Sequence, residues 1–158
     1  MQERIRSIDR VREAARSAGL AIEIREMPQS TRTAEEAAAA CGTTVAQIVK
    51  SLIFRKKASG DPVLILVSGA NRVNEAIVAA EVGDSLERMD PRAVRDATGF
   101  AIGGVAPIGS IAPLATFMDG DLLAYGTIWA AAGKPNAVFS AAPDALRQAA
   151  AATIIRVR

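Results

Sequence analysis

The spacing of apolar residues changes several times along the chain, and each change predicts an element. Over residues 3–18, Ile5, Ile8, Val11 and Ala15 form one helical stripe among charged residues, and Gly19 stops the pattern. AIEIREM, residues 21–27, alternates apolar and charged and predicts a half-buried strand ending near Pro28. Thr33-Ala-Glu-Glu36 is a capping box that opens an alanine-rich helix, which Gly42 closes. Thr44-Val-Ala-Gln47 is a second box and predicts a short helical turn. A strand follows from Val49 to Arg55, with Val49, Ser51 and Ile53 on one face and Lys50, Leu52 and Phe54 on the other. Pro62 opens VLILV, whose unbroken apolar run predicts a strand buried on both faces.

The second half alternates in the same way. A loop with Asn71 leads to a helix near 74–82, and Asp90-Pro91 places an N-cap before a proline at the first helical position. That helix stops at Thr98-Gly99, and FAI, 100–102, predicts a short strand. GGVAPIG, 103–109, is a loop, since its glycines and proline cannot continue a helix or strand. LATFM up to Asp119, TIWAAA up to Gly133-Lys134, AVF after Asn136 and TIIRV near the end predict strands, with a helix over 143–151. Short strands interspersed with helices predict a mixed α/β sheet in one domain over 1–158.

Composition narrows the class. The chain has 158 residues and is 50% hydrophobic, which suits one packed domain and excludes disorder. No apolar run approaches the roughly 18 residues of a membrane span, so no membrane partner is expected. One cysteine permits no internal disulfide, and the N-terminus carries Glu3, Asp9 and Glu13 without an apolar signal core. A cytoplasmic location is the expectation. A net charge of +2 predicts no strong nonspecific grip on nucleic acid, and DNA is not an expected partner. Arg6, Arg10 and Arg16 form a basic helix face, read as solvated, with a nucleic-acid contact as the sharper alternative.

The chain has 0 histidines, which removes the commonest general base, Ser-His and Cys-His pairs, and most zinc sites. P-loop, Gly-x-Ser-x-Gly and Gly-x-Gly-x-x-Gly signatures are absent as well. Cys41 reads as a buried packing residue, and Asp119 and Asp121 as capping aspartates around Gly120; no metal is expected. What remains is Lys50, the 103–107 loop, Asp119 and Gly133-Lys134. A lysine supplies a point charge for a phosphate, and a glycine pair lets backbone N–H groups approach a carbonyl oxygen. Together they suit a substrate with a carbonyl group and a phosphate close together.

IVKSLIF at 48–54, TGFAIGGVAPIG at 98–109, ATFMD at 115–119 and WAAAGK at 129–134 occur in the order and spacing of the YbaK/ProX family, and STRTAEEAA at 30–38 also looks familial. The sequence resembles these free-standing aminoacyl-tRNA deacylases, which are related to the insertion editing domain of bacterial prolyl-tRNA synthetases. The resemblance implies a strongly curved, barrel-like mixed sheet flanked by helices. It implies hydrolysis in trans of the ester joining a wrong, small amino acid to the 3′ end of a tRNA, often proline tRNA. Lys50 matches the lysine that positions the acceptor end, and Gly103 and Gly104 open the loop beside the aminoacyl carbonyl. Pro107 closes that loop; Asp119, Gly133 and Lys134 match residues near the site, and Ser51, Ile102, Val105 and Ala106 are candidate pocket residues. Where family members often carry a cation just after the loop glycine, this chain has Ser110. No cofactor is expected, because a neighbouring ribose hydroxyl of the substrate can assist the attacking water. Expected partners are the acceptor end of aminoacyl-tRNA and, as a further candidate, a synthetase. The alternatives are a nonenzymatic tRNA- or synthetase-binding module and a hydrolase of another small activated ester.

Overall fold

The structure is a computed structural model and describes residues 6–158; Ile5 of the first helical stripe lies outside the described residues. Helix α1 (Ser7–Ser17) buries Ile8, Val11 and Ala15, the stripe expected of it. Strand β1 is only Arg25–Glu26, and both residues are exposed. The alternation of AIEIREM therefore overstates the strand: only these two residues pair, with Val138 and Ala137 of a later strand. Helix α2 (Ala34–Cys41) has the full capping box, with Thr33 and Glu36 bonding each other's backbone, and ends at Gly42 in the left-handed conformation. The second box gives only a 3₁₀ turn, Val45–Gln47. There the Thr44 hydroxyl donates to the Gln47 side chain at 2.8 Å instead of capping the backbone.

Strand β2 (Val49–Lys56) pairs antiparallel with β3 (Pro62–Ser68) from Val49 opposite Ser68 to Arg55 opposite Pro62. Helix α3 (Glu75–Val82) is capped by Asn74. Strand β4 (Leu86–Arg88), which the sequence pattern does not announce, pairs with Phe54–Lys56 of β2. Helix α4 (Pro91–Thr98) has the expected Asp90 cap and Gly99 stop. FAI is not a strand: Phe100 is fully buried as a core side chain, and Ile102 enters a turn. Strands β5 (Ala115–Asp119), β6 (Ile128–Ala131) and β7 (Ala137–Ala141), helix α5 (Pro143–Ala149) and β8 (Thr153–Ile155) complete the order.

The strands divide into two sheets. One runs β4-β2-β3-β5-β8 with parallel β3–β5 and β5–β8 pairs; the other, β1-β7-β6, is antiparallel. The fold is thus mixed α/β. An isolated bridge from Ile48 to Trp129 links the sheets, so hydrogen bonding among the described residues closes no barrel. Strand β3 is buried on both faces, as its unbroken apolar run requires. Leu64 and Leu66 join the core that includes α1, while Val63, Ile65 and Val67 join a second core with Val78 of α3. Ile65→Ala, at the fully buried centre of β3, should lower unfolding stability by about 2–5 kcal/mol. Urea denaturation checks this, and a loss below 1 kcal/mol would mean that the site relaxes around the cavity.

Candidate functional site

Strand β2 is covered by β3 along one edge, but along the other only at its ends. Strand β4 reaches Phe54–Lys56 and Trp129 bridges Ile48, leaving the stretch between them unpaired by either sheet. The Ile48 carbonyl accepts from Gly69 N–H and Lys56 N–H donates to Asp61, so even-numbered backbone groups of β2 turn towards β3. Those of Ser51 and Ile53 turn to the open edge. A cavity of about 1170 Å³ lies there. Because it wraps the edge, side chains from both faces of β2, Lys50 and Ser51 among them, line it.

Lys50 sits at the start of the strand face that continues into Leu52 and Phe54, both part of the second core. Its Nζ donates to the Asn71 carbonyl at 2.5 Å. Burial pushes its pKa below the ordinary lysine value, Arg72 pushes the same way, and Glu35 and Asp119 oppose. Asp119 holds this arrangement from behind. It is 2% exposed, and its carboxylate accepts from Ser68 N–H at 3.1 Å, Asn71 Nδ2 at 2.7 Å and Asp121 N–H at 2.9 Å. Asp121 also accepts from Asn71 Nδ2, at 2.9 Å, and from Arg158 Nε at 3.1 Å. Asp119 therefore does not line the cavity; it fixes the loop whose carbonyl receives Lys50.

The opposite wall is the turn after α4. Gly104 N–H donates to the Ala101 carbonyl at 3.0 Å, and Gly103 has φ +88, which the third position of this turn requires and glycine permits. The Gly104 amide is thus used inside the turn, whereas among the described residues the Gly103 and Val105 N–H groups donate to no protein acceptor. Gly104 instead serves close packing, since a Cβ there would lie 2.9 Å from the Lys134 backbone. Arg32 lies across Gly103, with its Nε 3.0 Å from where a Cβ would sit.

Lys50, Ser51, Ile102, Gly103 and Val105 line the cavity together. Gly104, Ala106 and Pro107 are buried behind that wall. Gly133 is buried against Ser7 of α1, and Lys134 directs Nζ to Glu26 at 3.2 Å, so its charge is used outside the cavity. Sequence reasoning missed Arg32 and Arg72, which line the cavity; among the described residues neither has an ion-pair partner. The STRTAEEAA block carried a signal for Arg32; nothing local marked Arg72. Ile53, Met89, Val94 and Val105 give the cavity an apolar part, where the buried Ser51 hydroxyl has no hydrogen-bond partner among the described residues. Glu36, the one lining carboxylate among the described residues, is engaged by Thr33 N–H at 3.3 Å in the capping box. Cys41 is half-buried rather than buried, and burial pushes its thiol pKa up. No cluster of three metal-ligating side chains occurs among the described residues, and no described helix is long and apolar enough to cross a membrane.

This geometry combines cations, unused backbone donors and an apolar recess, and among the described residues no base is hydrogen-bonded to the Ser51 hydroxyl. The chain belongs to the aminoacyl-tRNA editing domain family, whose profile matches residues 28–149. The resemblance read from the sequence blocks is upheld, and membership implies an editing activity on aminoacyl-tRNA. The crystal structure of a protein proposed as a trans-editing enzyme for prolyl tRNA synthetase is 43% identical, with a TM-score of 0.90 and 99% of each chain covered. The structure of hypothetical protein APE2540 is 28% identical, with a TM-score of 0.86 over 94% of this chain and 98% of that one. The uncharacterized protein YwhH of Bacillus subtilis (strain 168) is 29% identical over 127 residues, 80% of each chain.

The lowered pKa of Lys50 has a consequence for stability. Its folded pKa lies below its unfolded one, so the unfolded chain holds more protons in the window between them. Stability then rises with pH through that window, up to the ordinary value of 10.5. Lys50→Met should melt no lower than wild type at pH 7, and the difference should move in favour of wild type as pH approaches that value. Thermal melts between pH 7 and 10 check this. A clear fall in Tm at pH 7 would mean that the ammonium holds the fold together.

Proposed function

We propose that the protein is a trans-acting deacylase that hydrolyses the ester between a mischarged small amino acid and the 3′-terminal ribose of a tRNA, with proline tRNA the leading candidate. The observation that carries this reading is that Lys50 and the Gly103–Val105 wall, from distant parts of the chain, line one cavity. Lys50, Arg32 and Arg72 supply cations for the acceptor-end phosphates. The Gly103 and Val105 N–H groups are the donors for the oxyanion, in place of the Gly103–Gly104 pair expected from sequence.

In the proposed reaction, a water oxygen bonds to the ester carbonyl carbon and gives its proton to the neighbouring ribose hydroxyl, which relays its own proton to the ester's ribose oxygen. The carbonyl oxygen becomes an oxyanion held by the loop amides. Collapse breaks the bond to the ribose oxygen, which takes up a proton, and amino acid and tRNA separate. The protein's part is to orient the ester and stabilise charge as it develops. The apolar recess favours a small side chain, and the unpartnered Ser51 hydroxyl offers one polar contact, to the substrate's amino group or to a side-chain hydroxyl.

The test is release of labelled amino acid from alanyl-, seryl-, threonyl- and cysteinyl-tRNA, with wild type and Lys50→Ala side by side and a chelator present. Chelator-resistant release of one residue, reduced about 10²-fold or more in the variant, is expected. No release above the spontaneous rate on any tRNA would leave a binding module of the same fold. Arg32→Ala and Arg72→Ala should each weaken tRNA binding and reduce the slope of log K against log salt by about 0.7–0.9. An unchanged slope would remove that residue from the phosphate path.

A further inference from the structure

The sequence puts Arg10 on the basic face of α1, where solvent would be its ordinary partner, but the structure turns it inward. Its Nε donates to the Gly109 carbonyl at 3.1 Å, its Nη2 donates to the Gly99 carbonyl at 2.9 Å, and its guanidinium carbon lies 5.0 Å from the centroid of the Phe100 ring. Phe100 is fully buried. One planar group with fixed donor directions thus grips both ends of the 99–109 segment. Between those ends lie the 101–104 turn and the Gly103 and Val105 amides.

The chain is shaped to let α1 come this close. A Cβ on Gly109 would lie 2.9 Å from Val11 Cα, and one on Gly99 would lie 2.6 Å from Arg10 Nη2. The same helix supports the loop a second way. Ser7 packs on Gly133, where a Cβ would lie 2.9 Å from the Ser7 carbonyl carbon, and the adjoining Lys134 backbone packs on Gly104. The segment has no strand pairing of its own among the described residues, so these contacts and the burial of Phe100, Val105, Ala106 and Ile108 in the core are what hold it.

We propose that Arg10 is a positioning residue: through the Gly99 and Gly109 carbonyls it makes α1 the brace that sets the Gly103–Val105 wall of the cavity. Arg10 touches no substrate in this arrangement; it acts through the loop. The kinetic consequence rests on the deacylase reading, whereas the structural one does not.

Two variants and two readouts separate these. Arg10→Met keeps the aliphatic stem and removes both donors, and Arg10→Lys keeps the charge without the fork. In the full chain, Arg10→Met should speed amide hydrogen exchange over 99–111 while leaving β2 and β3 unchanged. On the aminoacyl-tRNA that wild type cleaves, kcat should fall about 10²-fold, with KM within about threefold and partial recovery in Arg10→Lys. Wild-type exchange over 99–111 in Arg10→Met would overturn the brace. Faster exchange with unchanged kcat would overturn the positioning role. If wild type releases no amino acid from any tRNA, the deacylase reading fails while the exchange result still decides the brace. Should Arg10→Met not fold, Gly109→Ala carries the test, because it keeps the guanidinium and forces α1 away from the loop; wild-type exchange and kcat in that variant would overturn the proposal.

Discussion

The incomplete pairing of β2 is the constraint on which the rest of the site depends. A strand needs partners for the N–H and C=O groups on both edges, and β2 has a full partner in β3 on one edge only. On the other, β4 is three residues long and Trp129 bridges a single position, Ile48. Continuing either pairing would seal the cavity. The gap leaves the Ser51 and Ile53 backbone groups facing it, to be satisfied by water or by a ligand. It also lets residues from opposite faces of one strand meet the same ligand, as an alternating strand embedded in a sheet would not allow.

An opening of this kind needs walls that the sheet does not provide. The Lys50 side is held by Asp119, whose carboxylate binds Ser68 and Asn71 and so fixes the carbonyl that receives the ammonium. The opposite side is held by α1 and by the Gly104–Lys134 packing. Both supports share a logic. Groups buried behind the cavity are fully engaged, while groups facing it, the Ser51 hydroxyl and the guanidinium groups of Arg32 and Arg72, are not. An unpartnered buried hydroxyl is unfavourable by roughly 1–3 kcal/mol, and its retention at a ligand cavity fits a site that trades stability for recognition.

Features that obey local rules were legible in the sequence. The Thr33–Glu36 box, the Asp90-Pro91 start and the double burial of VLILV each follow from neighbours a few residues apart, and each holds in the structure. So does the placing of Lys50 on the face of Leu52 and Phe54. The misses share a different cause. Residues 21–24 alternate correctly but find no strand to pair with, and Phe100 is apolar because it fills the core beside Arg10, not because FAI is a strand. Arg10 turns inward against expectation, because helical periodicity gives a face and not the neighbour across it. Asp119 caps the Asp121 amide, as its place beside Gly120 suggests, but its hold on Asn71 is a contact between residues 48 positions apart. Local pattern cannot show such a contact.

The chemistry of the cavity argues for a substrate that is already reactive. Its one lining carboxylate among the described residues, Glu36, is bonded within the helix cap that places α2, so recruiting it as a base would loosen the cavity's own wall. Lys50 has a lowered pKa, but its Nζ donates to a carbonyl, and a partner of that kind is served by the protonated ammonium. Neither group is arranged to take a proton from water. What remains is orientation by cations and charge stabilisation by backbone amides, and one oxyanion donor is typically worth about 10²–10³ in rate. That is too little for hydrolysis of an unactivated amide, yet well matched to an aminoacyl ester whose neighbouring hydroxyl can relay the proton. The absence of a positioned general base among the described lining residues is therefore better explained by the reactivity of the proposed ester than by the loss of an older activity.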